Sequence, residues 1–432
     1  MVKGFFGFGK TFWTANGVEL FERAAYYGTF IALVIFLTNV VGYSDIESGW
    51  IGGLFASLIY FLPLFTGAIA DKIGFRSSLI IAFSLLSFGY FGLGFFPFKI
   101  AVLFFLVSIA LGGSFVKPVI TGTVAKSSSE DLRAKAYSLF YMTVNIGSFL
   151  GKSVAKPLRT SLGVEYIPYY SSILAFIALL VVIFLYFPKT ETITKEQKEI
   201  KEILIGMARA FKNIPFLLLI IITGAFWAIQ NQLYATLPKY VIRLVGENAS
   251  PEWYANVNPL VVVFLVVPIT HLAKKVKPIT SIAFSFLLLT ISSFTMSLSS
   301  LFGAPMSLFG YLVHPITFMM VVGIAIQGVA ECFLSPRYLE FASLQAEKGE
   351  EGLYMGYAHL NTTVASILAF VSSGYLLDRY CPDPKKFPNL HPEEFNLLYS
   401  KAHYIWYFYS GLALFAFLLL ILLNKTVFSR KK

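Results

Sequence analysis

Charge is what this chain has least of. Only 13% of its 432 residues are Asp, Glu, Lys or Arg, while 57% are hydrophobic. Soluble domains carry about 25% charged residues, so the composition excludes a soluble globular protein and defines an integral membrane protein. Cysteine is nearly missing as well. Cys332 falls in an apolar run and Cys381 in a distant loop, so neither a disulfide nor a thiolate metal site is expected. The five histidines (His271, His314, His359, His391 and His403) are scattered and form no nucleophile–His–acid or metal-ligand pattern. No enzyme activity, metal or cofactor is therefore expected. The first ten residues lack the pattern of a cleavable signal peptide, which predicts that the first apolar run is retained.

What the chain does have is a net charge of +11. About 21 of the 34 Lys and Arg fall at the two ends and in every second loop, the positive-inside pattern. The basic excess thus reports topology and contact with anionic lipid, not nucleic-acid binding. Arg23, Lys117, Lys152 and Arg337 are the exceptions, lying in or at the ends of apolar runs.

Runs of about 20 apolar residues mark bilayer spans. Twelve are read, at roughly 12–41, 46–70, 77–96, 100–125, 131–155, 168–187, 214–240, 254–273, 278–300, 309–345, 351–378 and 402–424. An even number with basic ends puts both termini in the cytoplasm. The expected organisation is two six-helix bundles, 1–188 and 214–432, joined by a mixed-charge amphipathic linker over 189–213. That linker reads as a solvated helix, with a partner-binding element as the alternative. Residues 379–401, rich in proline and charge, read as an external loop with little regular structure.

The first run contains a costly feature. Glu19, Glu22 and Arg23 each cost about 2.5–3.5 kcal/mol at a span centre on translocon scales. With Tyr26 and Tyr27 they fall at i, i+3, i+4, i+7 and i+8, one helical face. Such a stripe lines a wet path or pairs inside a bundle. Lys117, beside Pro118, is a second cation within an apolar run, and Glu19, Glu22, Arg23 and Lys117 sum to zero charge. Glu331 has no basic residue in the preceding two turns, so it needs a proton or a cationic ligand group. Positive charge in one half and negative charge in the other suit a zwitterion of peptide size, carboxylate toward Arg23 and Lys117, amine toward Glu331. For these four charges the competing reading is a static ion pair. For the tyrosines and asparagines it is interhelical packing.

The segment Gly67-Ala-Ile-Ala-Asp71-Lys72-Ile-Gly74-Phe-Arg76, between the second and third runs, resembles the cytoplasmic gate motif of the major facilitator superfamily. A degenerate counterpart stands at His271–Pro278, and a second Gly-x-x-x-Asp at Gly374–Asp378 reads as helix packing. Glu19-Leu-Phe-Glu22-Arg23 followed by Tyr26-Tyr27-Gly28 resembles the first helix of the proton-dependent oligopeptide transporter family. Collinear matches follow at Tyr60-Phe-Leu-Pro63, Gly113–Pro118 with Lys117, Phe140–Ser148 with Asn145, Asn258-Pro259, and Gly328–Pro336 with Glu331 and Ser335.

This resemblance implies an all-α membrane protein of the major facilitator fold. It also implies proton-coupled import of di- and tripeptides by alternating access, the alternative being another small solute such as a modified amino acid or an anion. Glu19, Glu22, Arg23, Lys117 and Glu331 would couple protons. Arg23, Tyr26, Tyr27, Tyr60, Lys117, Asn145, Asn258, Glu331 and Ser335 would bind substrate. The expected partners are a small peptide, protons and membrane lipid, with no nucleic acid. The expected setting is the plasma (inner) membrane, multi-pass, with a monomer as the working unit. On charge grounds Glu22 is the candidate switch, losing and regaining Lys117 as that lysine turns to the substrate carboxylate. The match breaks at Phe30, where many members carry a basic residue, and at Asn231, where they carry an acid. The loss of both together is electrostatically consistent, since one buried charge alone is costly.

Overall fold

The computed structural model describes residues 7–188, 212–344 apart from 274, 303–304 and 309, and 357–428 apart from 392–393 and 395–396. Nearly all of linker 189–213 and the start of the eleventh run, 351–356, lie outside the described residues. The described chain is helical throughout, except for one antiparallel hairpin pairing Met306–Leu308 (β1) with Tyr311–Val313 (β2). The tenth run was read from residue 309. Its first residues instead form this hairpin, which turns at Gly310 with φ +84°, and the helix starts only at Pro315.

Contacts divide the chain into two units. One comprises Met1–Tyr43 with Phe55–Ile205, the other Ser44–Leu54 with Gly206–Lys432. The division departs from the expected bundles at residues 44–54, which group with the second unit. The first unit holds α1 (Lys10–Asn39), the latter part of α2 (Asp45–Phe61), α3 (Pro63–Ile73), α4 (Phe75–Phe95), α5 (Lys99–Lys126), α6 (Arg133–Ser161) and α7 (Ile167–Leu185). The second holds α8 (Ile214–Gln230), α9 (Gln232–Ala235), α10 (Leu237–Val245), α11 (Pro251–Tyr254), α12 (Val257–Ala273), α13 (Pro278–Ser297), α14 (Pro315–Leu344), α15 (Leu360–Tyr380) and α16 (Tyr404–Leu423).

Proline sets many of these boundaries. Pro63, Pro168, Pro215, Pro238 and Pro278 stand in first turns, where the missing N–H has no intrahelical partner to lose. Pro63 also explains why one apolar run yields two helices, α2 and α3, bent by 45°. Ten described helices are long and apolar enough to cross a bilayer, and α2 with α3 makes an eleventh span. Helix α6 has the length but not the composition. It carries Arg133, Lys135, Lys152, Lys156 and Arg159, with no acid. Large apolar side chains such as Phe104, Phe184, Phe264 and Phe415 stand exposed, a surface suited to lipid.

The packing pattern repeats. In the first unit α1 packs on α6 and α7, α4 on α5 and α7, and α3 on α5. In the second, α8 packs on α15 and α16, α13 on α14 and α16, and α12 on α14. Counting spans, each pair in one unit recurs six spans later. The tightest approach is α6 on α1. A Cβ on Gly151 would lie 2.2 Å from the Ala24 carbonyl oxygen, and one on Gly147 would lie 2.7 Å from Arg23 Cβ. Gly147 faces Leu20–Ala24 and Gly151 faces Ala24–Gly28, so the two helices run parallel. This small-xxx-small seam brings the α6 backbone against the polar stripe of α1.

Gly151→Val should force α1 and α6 apart, costing about 1–3 kcal/mol by overpacking. Thermal unfolding in detergent should show a lowered midpoint. Gly411→Ala, at a helical glycine with nothing within 4 Å, should not lower the midpoint.

Candidate functional site

In the first unit the α1 stripe forms a compact charge cluster. Glu19 and Glu22 are buried, at 2% and 3% exposure. Both reach one guanidinium: Arg23 Nε lies 3.3 Å from Glu19 Oε1 and donates a short hydrogen bond to Glu22 Oε2. The second Glu19 oxygen, Oε2, is buried and accepts no hydrogen bond from any described residue. Arg23 also lies over the Tyr26 and Tyr27 rings, 5.3 and 6.0 Å from their centroids. Tyr26 stacks on Phe30 at 5.0 Å, and Phe30 reaches Phe55 at 6.3 Å. The position where the family usually carries a basic residue is thus part of an aromatic cluster.

Lys117 comes from α5. Pro118 has no N–H, which frees the Ser114 carbonyl four residues earlier. Thr66 of α3 donates its hydroxyl to that carbonyl at 2.8 Å, which ties α3 to α5 at this level. Lys117 is exposed, with Nζ 5.9 Å from the Tyr60 ring centroid. Among the described residues it makes no ion pair. Asn145 of α6 turns its amide back on its own helix, donating to the Tyr141 carbonyl at 2.8 Å.

In the second unit Glu331 of α14 receives two amides. Gln230 Nε2, at the end of α8, donates to Oε2 at 2.8 Å, and Asn258 Nδ2, in the first turn of α12, donates to the same oxygen at 3.3 Å. A Cβ on Gly328 would lie 3.2 Å from the Asn258 carbonyl oxygen, so the glycine one turn before Glu331 allows the approach of α12 to α14. Ser335, one turn after Glu331, has a buried Oγ with no hydrogen-bond partner among the described residues. Gln230 was not among the residues read as substrate-binding. It is the last residue of α8, before the cap at Asn231.

Of the gate motif, Arg76 docks on α7, donating to the Ile183 carbonyl at 2.8 Å with its guanidinium over Phe187. Gly67 faces Pro118, and Gly74 takes φ +87° between α3 and α4. Asp71 and Lys72 are exposed, and Asp71 makes no ion pair among the described residues.

A further cluster was not read in the sequence. Within the second unit Asp45, in the first turn of α2, is fully buried between Lys239 and Arg243 of α10. Lys239 Nζ donates to Oδ1 at 2.8 Å, and Arg243 bonds both oxygens, at 2.9 and 3.0 Å. Arg243 also donates to the Cys381 carbonyl at 2.7 Å and lies 3.7 Å from Asp383. Its partners are some 140 to 200 residues apart in sequence, so no local pattern signals it.

A multi-pass helical protein with paired units and charge clusters in its membrane helices has the form of a membrane carrier. The chain belongs to the Major Facilitator Superfamily, whose sequence profile matches residues 18–313. It is 32% identical over 176 residues to the dipeptide and tripeptide permease B of Yersinia enterocolitica (serotype O:8 / biotype 1B), covering 40% of this chain and 36% of that protein. To the protein of the same name from Aliivibrio fischeri (strain MJ11) it is 27% identical over 231 residues, 51% of this chain and 44% of that one. The match thus spans less than half the length of these relatives. Among solved structures, a peptide transporter POT in complex with sulfate superposes with a TM-score of 0.75 at 20% identity, covering 98% of this chain and 96% of that one. A POT family transporter in complex with 5-aminolevulinic acid gives 0.78 at 16% identity, covering 98% of both. At these identities the likeness shows the fold.

The Asp45 cluster makes its own prediction. Arg243→Ala leaves a buried carboxylate short of a partner, which costs about 3–5 kcal/mol. Burial pushes the Cys381 thiol, just past the end of α15, up to about 12. It holds almost no thiolate at neutral pH and should resist maleimide. In a Cys332→Ser background, Arg243→Ala should lower the unfolding midpoint, and Cys381 should react with maleimide at a correspondingly lower temperature, as the site opens.

Proposed function

We propose that this protein is a proton-coupled importer of di- and tripeptides, a member of the proton-dependent oligopeptide transporter family working by alternating access in the plasma membrane. The observation that carries the reading is the state of Arg23 and Lys117 in the first unit. Arg23 is committed to Glu19 and Glu22, while Lys117 is exposed without an ion pair among the described residues. A substrate carboxylate then has one cation ready for it. In the second unit Glu331, held by two neutral amides, suits the peptide amine. The permease names of the relatives and the collinear order of the matching segments support peptide as the substrate.

Proton coupling needs a carboxylate that is neutral in one state and ionised in another. Glu22 keeps a short bond to Arg23, whereas Glu19 has a buried oxygen with no donor. Glu19 therefore joins Glu22 as a candidate for the switch. An inward proton is driven by about 2.3 kcal/mol per 100 mV of membrane potential, with any pH gradient adding to it. A second reading, transport of another small solute, is favoured by Phe30 and Asn231. There the charges that many family members carry are replaced by an aromatic cluster and a helix end. Tyr26, Tyr27, Tyr60, Asn145, Asn258 and Ser335 line the peptide in the first reading. Gly67, Asp71, Lys72, Gly74 and Arg76 serve the cytoplasmic gate, the carrier acts as a monomer among membrane lipids, and it has no enzymatic step.

Proteoliposomes should accumulate labelled dialanine when an inward proton gradient is imposed. Glu19→Gln or Glu22→Gln should abolish accumulation but preserve peptide counterflow. Lys117→Ala should reduce both, by about tenfold or more for the loss of one charged contact. Accumulation that ignores the proton gradient would remove the coupling, and tight binding without flux would make the protein a receptor.

A further inference from the structure

The first unit carries a cavity well away from the Arg23 charge cluster. Its volume is about 590 Å³, and Asn39, Gly94, Glu165, Tyr166 and Tyr169 line it. Asn39 is the last residue of α1, so about 24 Å of helix separate this cavity from Arg23. Gly94 stands one residue before the end of α4, and Tyr169 lies in the first turn of α7.

Two glycines shape the walls. A Cβ on Gly94 would lie 3.0 Å from Tyr169 Cε2, so the Tyr169 ring rests against bare α4 backbone. A Cβ on Gly163 would lie 2.5 Å from Glu165 Oε2, so the carboxylate folds back over a glycine, which also takes φ +124°. The Tyr166 and Tyr169 rings stand 6.1 Å apart between centroids, tilted by 46°. Glu165 and Tyr169 are half-buried and Tyr166 is exposed. Among the described residues Glu165 makes no ion pair and its carboxylate no hydrogen bond, and neither tyrosine hydroxyl makes one.

The sign of the cavity is negative. Glu165 is the one charged residue lining it. The C-terminal ends of α1 and α4 add carbonyl partial charge of the same sign, against one N-terminus, that of α7. Lys99, two residues after the lining Pro97, lies instead against Tyr43, with Nζ 4.8 Å from the ring centroid. A hard metal ion takes about six oxygen ligands, which a single carboxylate does not supply. An organic ammonium takes one anion and aromatic faces, and this cavity has both. Its volume also has room for the body of a small molecule or a headgroup beyond the charged nitrogen.

We propose that this cavity is a binding site for an organic ammonium group, with Glu165 as its counter-ion and Tyr166 and Tyr169 as its aromatic walls. The ammonium belongs either to a free solute or to the headgroup of a membrane lipid, and the two present the same chemistry. With the basic ends of the chain in the cytoplasm, this end of the first unit faces outward, toward the external medium and the outer leaflet. The site does not depend on the peptide reading above, nor that reading on the site.

The test is saturation-transfer NMR on the full chain in nonionic detergent, with tetramethylammonium as the probe and tert-butanol as its neutral isostere. Transfer should reach the tetramethylammonium methyl groups and not tert-butanol. Glu165→Gln should weaken the probe's affinity by about tenfold, the worth of one charge-assisted contact. Tyr169→Leu should weaken it by about threefold, the worth of one cation–π face, and carries the test if Glu165→Gln is not recovered folded. Phosphatidylethanolamine added to the micelles should displace the probe where the natural occupant is a headgroup, while galactosyl diacylglycerol, which has no nitrogen, should not. A probe that phosphatidylethanolamine leaves in place assigns the site to a free ammonium solute. No transfer to tetramethylammonium in the wild type, equal transfer to tert-butanol, or an affinity unchanged in both variants overturns the site.

Discussion

An ionised group in the hydrocarbon of a bilayer must find its compensation inside its own protein. Most of the polar architecture here follows from that requirement. Glu19 and Glu22 are tolerable because Arg23 reaches both. Glu331 is tolerable because Gln230 and Asn258 turn their amides to it. Asp45 is tolerable because a lysine and an arginine from α10 enclose it. In the last two cases the partners come from helices that must therefore lie side by side. The charges act as positional constraints on a fold whose apolar surfaces are otherwise interchangeable, since lipid tails attract Leu or Phe no less than a neighbouring helix does.

Close packing supplies what hydrophobicity cannot. The α1–α6 seam has no room for a side chain at Gly147 or Gly151, and the α12–α14 approach has little at Gly328. In the second unit the glycine-bearing helix carries Glu331 one turn after Gly328, and in the first the glycines of α6 face the stretch of α1 that holds Arg23. The recurrence of the same packing pairs six spans apart gives each unit the same frame. The sequence then fills that frame with different chemistry, an ion-paired cluster around Arg23 in one unit and a hydrogen-bonded acid in the other.

How much of this was legible from residues alone depends on range. The α1 stripe, Lys117 beside its proline, and Glu331 were legible because a charge in an apolar run stands out and helical spacing fixes its face. The pairing of Glu331 with Asn258 was only half legible, from motif order, and Gln230 as its stronger partner was not. The breaks at Leu62 and Asn231 escaped a hydropathy reading, because a broken span is as apolar as a straight one. The hairpin at Met306–Val313 was taken for the start of a helix for the same reason. The Asp45 cluster was out of reach altogether. Asp45 was read as lying just before a span, and its partners are known only once the fold brings them to it.

The hydrogen bond from Thr66 to the Ser114 carbonyl exists because Pro118 cannot make it. Proline alone would leave a bare carbonyl in an apolar helix. The threonine has a longer second acceptor in the Leu62 carbonyl, so it is the proline that depends on the threonine. Across descendants of this sequence, Thr66 and Pro118 should be kept or replaced as a pair. Thr66, half a hundred positions from Lys117 along the chain, should then change at the slow rate of a substrate-binding residue without belonging to that group.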